Sequence, residues 1–159
     1  MTMTTLAIVD MQSNFSASEK PDTIIGVQRE IALAKRRRDA IVILEYRGYS
    51  KTRNTIINAV VKSGCPFKIV EKGDDDGSAE VVKTCNENGW PLRRVRVCGV
   101  NRMYCVKRTI EGLLMRLSHT QVEIAFGATG DDWYEHTNDL EAKEIYDKMQ
   151  RKQPKLKIL

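Results

Sequence analysis

Two short apolar runs, Thr4–Val9 (TTLAIV) and Ala40–Leu44 (AIVIL), constrain this chain more than any other feature. Neither alternates apolar with polar residues. A strand with one wet face would alternate, whereas a continuous run suits a strand covered on both faces, as in parallel sheets. Parallel neighbours need long crossovers, usually helical. Between the two runs, Ile24 to Arg38 carries Ile24, Val27, Ile31, Leu33 and Ala34 at helical spacing. The alternation then continues. Thr52 to Lys62 is predicted as a helix, with Ile56, Ile57, Val60 and Val61 inward and Gly64 as a C-cap signal. Phe67–Val70 is a third strand, and Ala79 to Asn88 a helix that Ser78 could cap. Arg94 to Cys98 is a fourth strand, closed by Gly99, with a helix from Ile110 onward. Gln121–Phe126 is a strand, Leu140 to Gln150 a helix, and Leu156–Leu159 a last edge strand. Ser13 to Asp22 and Gly127 to Asp132 read as loops. Strands alternating with helices throughout predict βαβ units, with right-handed crossovers and helices on both faces of a parallel sheet.

A length of 159 residues suits one domain, 1–159. No apolar run is long enough to span a membrane, and the N-terminus lacks a secretory pattern. The four cysteines form no CxxC and no zinc-like pairing with the two histidines. Free thiols in a reducing cytoplasm are the expectation. Much of the excess behind the net charge of +5 lies in Lys35–Arg38, Arg93 to Arg108 and Lys148–Lys157, scattered over several elements and not interleaved with aromatics on one face. Nucleic acid is therefore not the expected partner.

Three reactive side chains follow strands: Asp10 the first, Lys72 the third and Cys105 the fourth. Ligands of open α/β sheets bind beyond those carboxyl ends. Cys105 falls where a strand gives way to a helix, so backbone N–H groups and the helix dipole would favour its thiolate. Read as a nucleophile, it needs a nearby positive charge and a proton carrier. Lys72 can supply the first, and Asp10 the second. The plain alternatives are a buried structural cysteine, a surface lysine paired with Glu71 or Asp74, and an aspartate bonding its own loop. A redox role for Cys98 with Cys105 lacks the CxxC spacing.

Leu6 to Phe15 (LAIVDMQSNF) resembles the opening LLVIDMQNDF motif of the isochorismatase-like cysteine hydrolases, which include the nicotinamidases. Gly99 to Val106 (GVNRMYCV) is similar to that family's GVxxxxCV nucleophile motif, and Lys72-Gly73 to its lysine loop. The resemblance implies a three-layer α/β/α, Rossmann-like fold with a doubly wound parallel sheet of about six strands. It implies an Asp10-Lys72-Cys105 triad and a cis peptide before Asn101. It also implies an oxyanion hole from the backbone N–H groups of Asn101 and Cys105. The reaction implied is hydrolysis of a small-molecule amide through a thioester, by a homo-oligomer that needs no cofactor. Nicotinamidases place an Asp-x-His metal motif after the second strand. Here that loop is Glu45 to Tyr49 (EYRGY), and His119 and His136 lie late in the chain, so no metal site is expected. Arg47 and Arg102 are candidates to bind an anionic substrate group. Phe15 and Tyr104, with Tyr46, Tyr49 and Trp133, are candidates to line its pocket. The competing reading is a catalytically inactive binding protein of the same fold.

Overall fold

The computed structural model describes residues 4–132 and 138–159. Trp133 and His136 lie outside the described residues. Six strands, β1 (Thr5–Val9), β2 (Ala40–Tyr46), β3 (Phe67–Lys72), β4 (Arg94–Val100), β5 (Gln121–Gly130) and β6 (Leu156–Ile158), form one sheet in the order β3-β2-β1-β4-β5-β6. Every pairing is parallel. Among the described residues, five α-helices connect them: α1 (Pro21–Arg37), α2 (Asn54–Ser63), α3 (Ser78–Asn88), α4 (Lys107–Arg116) and α5 (Asp139–Lys152). This is the doubly wound, three-layer α/β/α architecture.

The two faces of the sheet sort by residue parity, because successive side chains of a strand point oppositely. Leu6, Ile8, Ile41 and Ile43 pack against Val27, Ile31 and Ala34 of α1 and Ile56 and Val60 of α2. Ala7, Val9, Val42, Leu44, Val95 and Val97 pack on the other face. They meet Val81 and Cys85 of α3, Ile110, Leu113 and Leu114 of α4, and Tyr146 of α5. Burial on both faces is why β1 and β2 read as unbroken apolar runs.

The boundaries depart most from expectation in the loop after β1, at Ser78 and at the ends of β4 and β5. Pro21 opens α1 rather than a loop, since a proline at the first helical position loses no needed hydrogen bond. The same predicted loop holds a 3-10 turn, Ser16–Glu19. Ser78 does not cap α3 with its side chain; its N–H instead donates to Asp76 Oδ1 at 2.8 Å. β4 runs through Gly99 to Val100, because glycine tolerates the φ of +110° there. β5 likewise continues to Gly130, with its register on β4 shifted between Val97 and Gly99. Gly64, by contrast, ends α2 in the left-handed conformation expected of a glycine C-cap.

Candidate active site

In a sheet of this order the chain winds outward in both directions from β1 and β4. The crevice beyond their carboxyl ends is the natural ligand site. Asp10 leaves β1 with φ +50°, a left-handed conformation an aspartate tolerates. Lys72 is the last residue of β3 and points back across β2. Its Nζ lies 3.1 Å from Asp10 Oδ2, with both side chains essentially inaccessible. The same ammonium donates to the Asp74 carbonyl at 2.9 Å and sits 4.0 Å from the centre of the Tyr46 ring. Room for the lysine depends on Gly77, where a Cβ would fall 2.6 Å from Leu44 Cδ1 and 3.0 Å from Lys72 Cδ. Neither Asp10 oxygen receives an aligned hydrogen bond, so the carboxylate keeps acceptor capacity inside the site.

After β4 the Val100–Asn101 peptide is cis, and a single π turn, Arg102–Val106, leads into α4. Cys105 sits in that turn, 5% exposed. Its thiol interacts with the Asp10 carboxylate and lies 3.8 Å from Asp75 Oδ1. The three residues at separate strand ends thus converge. The thiol's acidity runs opposite to the sequence expectation. Burial pushes it up, the Asp10 and Asp75 charges add to that, and Lys72 offsets only part. Burial likewise raises the Asp10 carboxyl above its ordinary 3.8, with Lys72 and then Cys105 pulling against it. At rest the thiol keeps its proton, with a carboxylate beside it to receive it.

The remaining candidates are dispersed. Arg102 is 3% exposed and its guanidinium is taken: Nη2 lies 3.1 Å from Asp131 and 2.9 Å from Asp139, and the group stacks 4.6 Å over Phe126. Its carbonyl accepts a hydrogen bond from the Tyr146 hydroxyl at 2.6 Å. Arg47 projects outward and lies 3.6 Å from Glu71. Phe15 packs on Tyr49 in a tilted pair at 5.1 Å, and Tyr49 and Tyr46 meet edge to face at 5.4 Å, forming an aromatic wall beside Lys72. Tyr104 is half exposed next to Cys105. Asn101 exchanges side-chain hydrogen bonds with Asp132, donating at 3.0 Å and accepting the Asp132 amide at 2.9 Å. Asp132 also accepts from the Ala17 amide and the Ser16 hydroxyl, which ties the 3-10 turn to the turn after β4.

Sequence reasoning passed over three contributors. Gln12 bonds the Tyr46 backbone in both directions and the Ser50 carbonyl, locking β1's exit onto the loop after β2. Asp132 is the second. The third is Asp75, the only member of its acidic run whose carboxylate reaches both the Cys105 thiol and the Tyr46 hydroxyl among the described contacts. Glu45 stands near the end of β2, just before the loop that follows it. Glu45 accepts from the Thr52 amide and hydroxyl, both at 2.7 Å, and its neighbours there are Arg47 and Tyr49. Among the described residues no three His, Cys, Asp or Glu side chains converge to hold an ion. His119 is exposed between α4 and β5, at the opposite edge of the sheet.

No family sequence model matches the chain, and no curated protein matches it in sequence. Solved structures do match in fold. N-carbamoylsarcosine amidase from Thermoplasma acidophilum superposes with a TM-score of 0.75 at 15% identity, over 99% of this chain and 95% of that one. An isochorismatase-like hydrolase from Alkaliphilus metalliredigens gives 0.67 at 17%, over 99% and 94%. MAR1 ribonuclease from Caenorhabditis elegans gives 0.73 at 20%, over 92% and 73%. The chain has the fold of the isochorismatase-like hydrolases. Among the described residues, no helix is long and apolar enough to cross a membrane.

Proposed function

We propose that this chain is a cysteine hydrolase that cleaves the C–N bond of a small-molecule amide. The observation that carries the reading is the buried Asp10–Lys72 pair, 3.1 Å apart, set against the Cys105 thiol at the switch point of the sheet. An amidase among the proteins of the same fold supports the reaction class. As Sγ attacks the amide carbonyl carbon, its proton passes to Asp10. Lys72 makes this transfer cheap, because the positive charge neighbours the negative one on either side of it. The carbonyl oxygen of the tetrahedral adduct faces the backbone N–H groups of Asn101 and Cys105, in the role the motif resemblance implies. Collapse breaks the C–N bond, and Asp10 returns its proton to the leaving amine. Water, deprotonated by Asp10, then hydrolyses the thioester to acid and free thiol. No step in this scheme calls on a metal.

The test is ammonia release from a panel of small primary amides, with acid quenching to trap the acyl-enzyme. A supporting result is acylation mapped to Cys105 by mass spectrometry, with both signals lost in Cys105→Ala. Ammonia release that survives in Cys105→Ala would remove Cys105 as the nucleophile, and no release and no adduct from any amide would favour a binding protein of this fold. A second expectation concerns pH. Asp10 must be ionised to accept the proton, and its carboxyl is raised above 3.8 by burial. Activity is therefore lost as pH falls through that raised value, and the acid limb of kcat/KM lies above 3.8. A limb at or below that value would remove Asp10 from the role.

A further inference from the structure

The polar groups around the thiol bear on what the substrate carries. Resting on the reading just given, we infer that the substrate of this site bears an ammonium or guanidinium group near its scissile amide, and that Asp75 is the specificity-determining residue that receives it.

The cations that could have received an anionic substrate are already matched. Arg102 is held between Asp131 and Asp139 and covered. Arg47 lies against Glu71 on the outside. Lys72 faces Asp10 at 3.1 Å. The carboxylates beside Asp75 are engaged elsewhere: Asp74 accepts the Asp75 amide at 2.6 Å, and Asp76 accepts the Ser78 amide at 2.8 Å. Among the described residues the Asp75 carboxylate meets polar neutral partners, the Tyr46 hydroxyl at 3.3 Å and the Cys105 thiol at 3.8 Å. With Lys72 balanced by Asp10, Asp75 is the charge left in excess beside the nucleophile.

Two further features agree. Tyr46, Tyr49 and Phe15 form a contiguous aromatic wall on the same side, and aromatic faces attract ammonium and guanidinium groups. The Tyr46 ring already hosts one cation, the Lys72 ammonium, at 4.0 Å. The Asp75 charge also opposes ionisation around it. After burial it is the next cause holding the Tyr46 hydroxyl up at about 12, and it adds to the upward push on Cys105. A cation seated on Asp75 removes that opposition as it arrives, so a charged substrate would ease proton loss from the thiol that attacks it.

The test uses three thiol reagents of one chemistry and different charge. They are 2-(trimethylammonium)ethyl methanethiosulfonate, 2-sulfonatoethyl methanethiosulfonate and neutral methyl methanethiosulfonate. Rates at Cys105 are followed by mass spectrometry and divided by the rates with free cysteine. The expected result is a normalised preference of about tenfold or more for the cationic over the anionic reagent, falling to within about threefold in Asp75→Asn. Equal normalised rates in the unmodified chain, or a preference for the anion, overturn the inference while leaving an accessible nucleophile in place. A preference that persists undiminished in Asp75→Asn removes Asp75 from the role. Failure of all three reagents to modify Cys105 in the folded protein overturns the nucleophile reading and this inference with it.

Discussion

Lys72→Met is expected to lower stability at neutral pH by about 3–5 kcal/mol, the usual penalty for removing one partner of a buried ion pair. For a chain of this size that corresponds to a drop in Tm of roughly 10 °C. The side chains of Lys72 and Asp10 are 0% and 1% exposed, so no solvent screening softens the loss. Methionine fills much of the same volume, which separates the charge effect from a cavity. What remains is a carboxylate with no counter-ion and no aligned donor. Its pH dependence gives a signature. Burial already raises the folded Asp10 carboxyl above the unfolded value, and loss of Lys72, its strongest opposing influence, raises it further. A raised carboxyl means the folded state holds its proton to higher pH than the unfolded chain does. Stability therefore falls as pH climbs from about 3.8 through the folded value, and falls further in the variant. Below that window Asp10 is neutral in both states and the gap to the parent closes. The double variant Asp10→Asn/Lys72→Met should recover most of the lost stability, since it strands no charge. Thermal unfolding at about pH 3 and pH 8 reads all three outcomes. An unchanged Tm for Lys72→Met at pH 8 would contradict a buried pair at this position.

The sheet, and the meeting of Asp10, Lys72 and Cys105 beyond its strands, were legible in sequence because each rests on a local signal. Unbroken apolar runs mark strands buried on both faces, and a reactive residue directly after such a run must stand at the carboxyl edge. Arg102 was misleading for the same local reason. An arginine just after Gly99 reads as a candidate for an anionic substrate group, but its carboxylate partners arrive 29 and 37 residues later and occupy it. The acidity of Cys105 followed a similar course. The turn toward α4 is visible in sequence, whereas the burial that raises the thiol comes from the packed crevice. Asp75 had no signal at all, since Asp74 and Asp76 flank it with identical chemistry. Only the fold decides which of three adjacent carboxylates faces the thiol. The second half of β5 was hidden by Gly127, a residue that reads as a break. α1 packs closely there: a Cβ on Gly26 would lie 2.7 Å from Ala128 Cα.

Gly99→Ala is expected to cost more than 4 kcal/mol, enough to leave little folded protein from a typical total of about 5–15 kcal/mol. Gly99 pairs with Val9 across the centre of the sheet and has a φ of +110°. A Cβ there would lie 2.7 Å from the Val9 nitrogen and 2.9 Å from its carbonyl carbon, and closer still to its oxygen. All three are backbone atoms of a strand held between two neighbours, so no side chain can swing aside. The conflict is relieved only by separating β1 from β4, and those strands lead directly to Asp10 on one side and Asn101 on the other. Any folded remnant should therefore lose the approach of Cys105 to Asp10 along with its stability. Gly89→Ala is the matched control. Gly89 also has a positive φ, +67°, but nothing lies within 4 Å of its would-be Cβ. That substitution carries only the left-handed backbone penalty of about 1–2 kcal/mol. Urea unfolding of both variants separates the two effects. If Gly99→Ala were no worse than Gly89→Ala, conformational freedom alone would explain the glycine, and the close contact of β1 with β4 would not be what sets the geometry of the site.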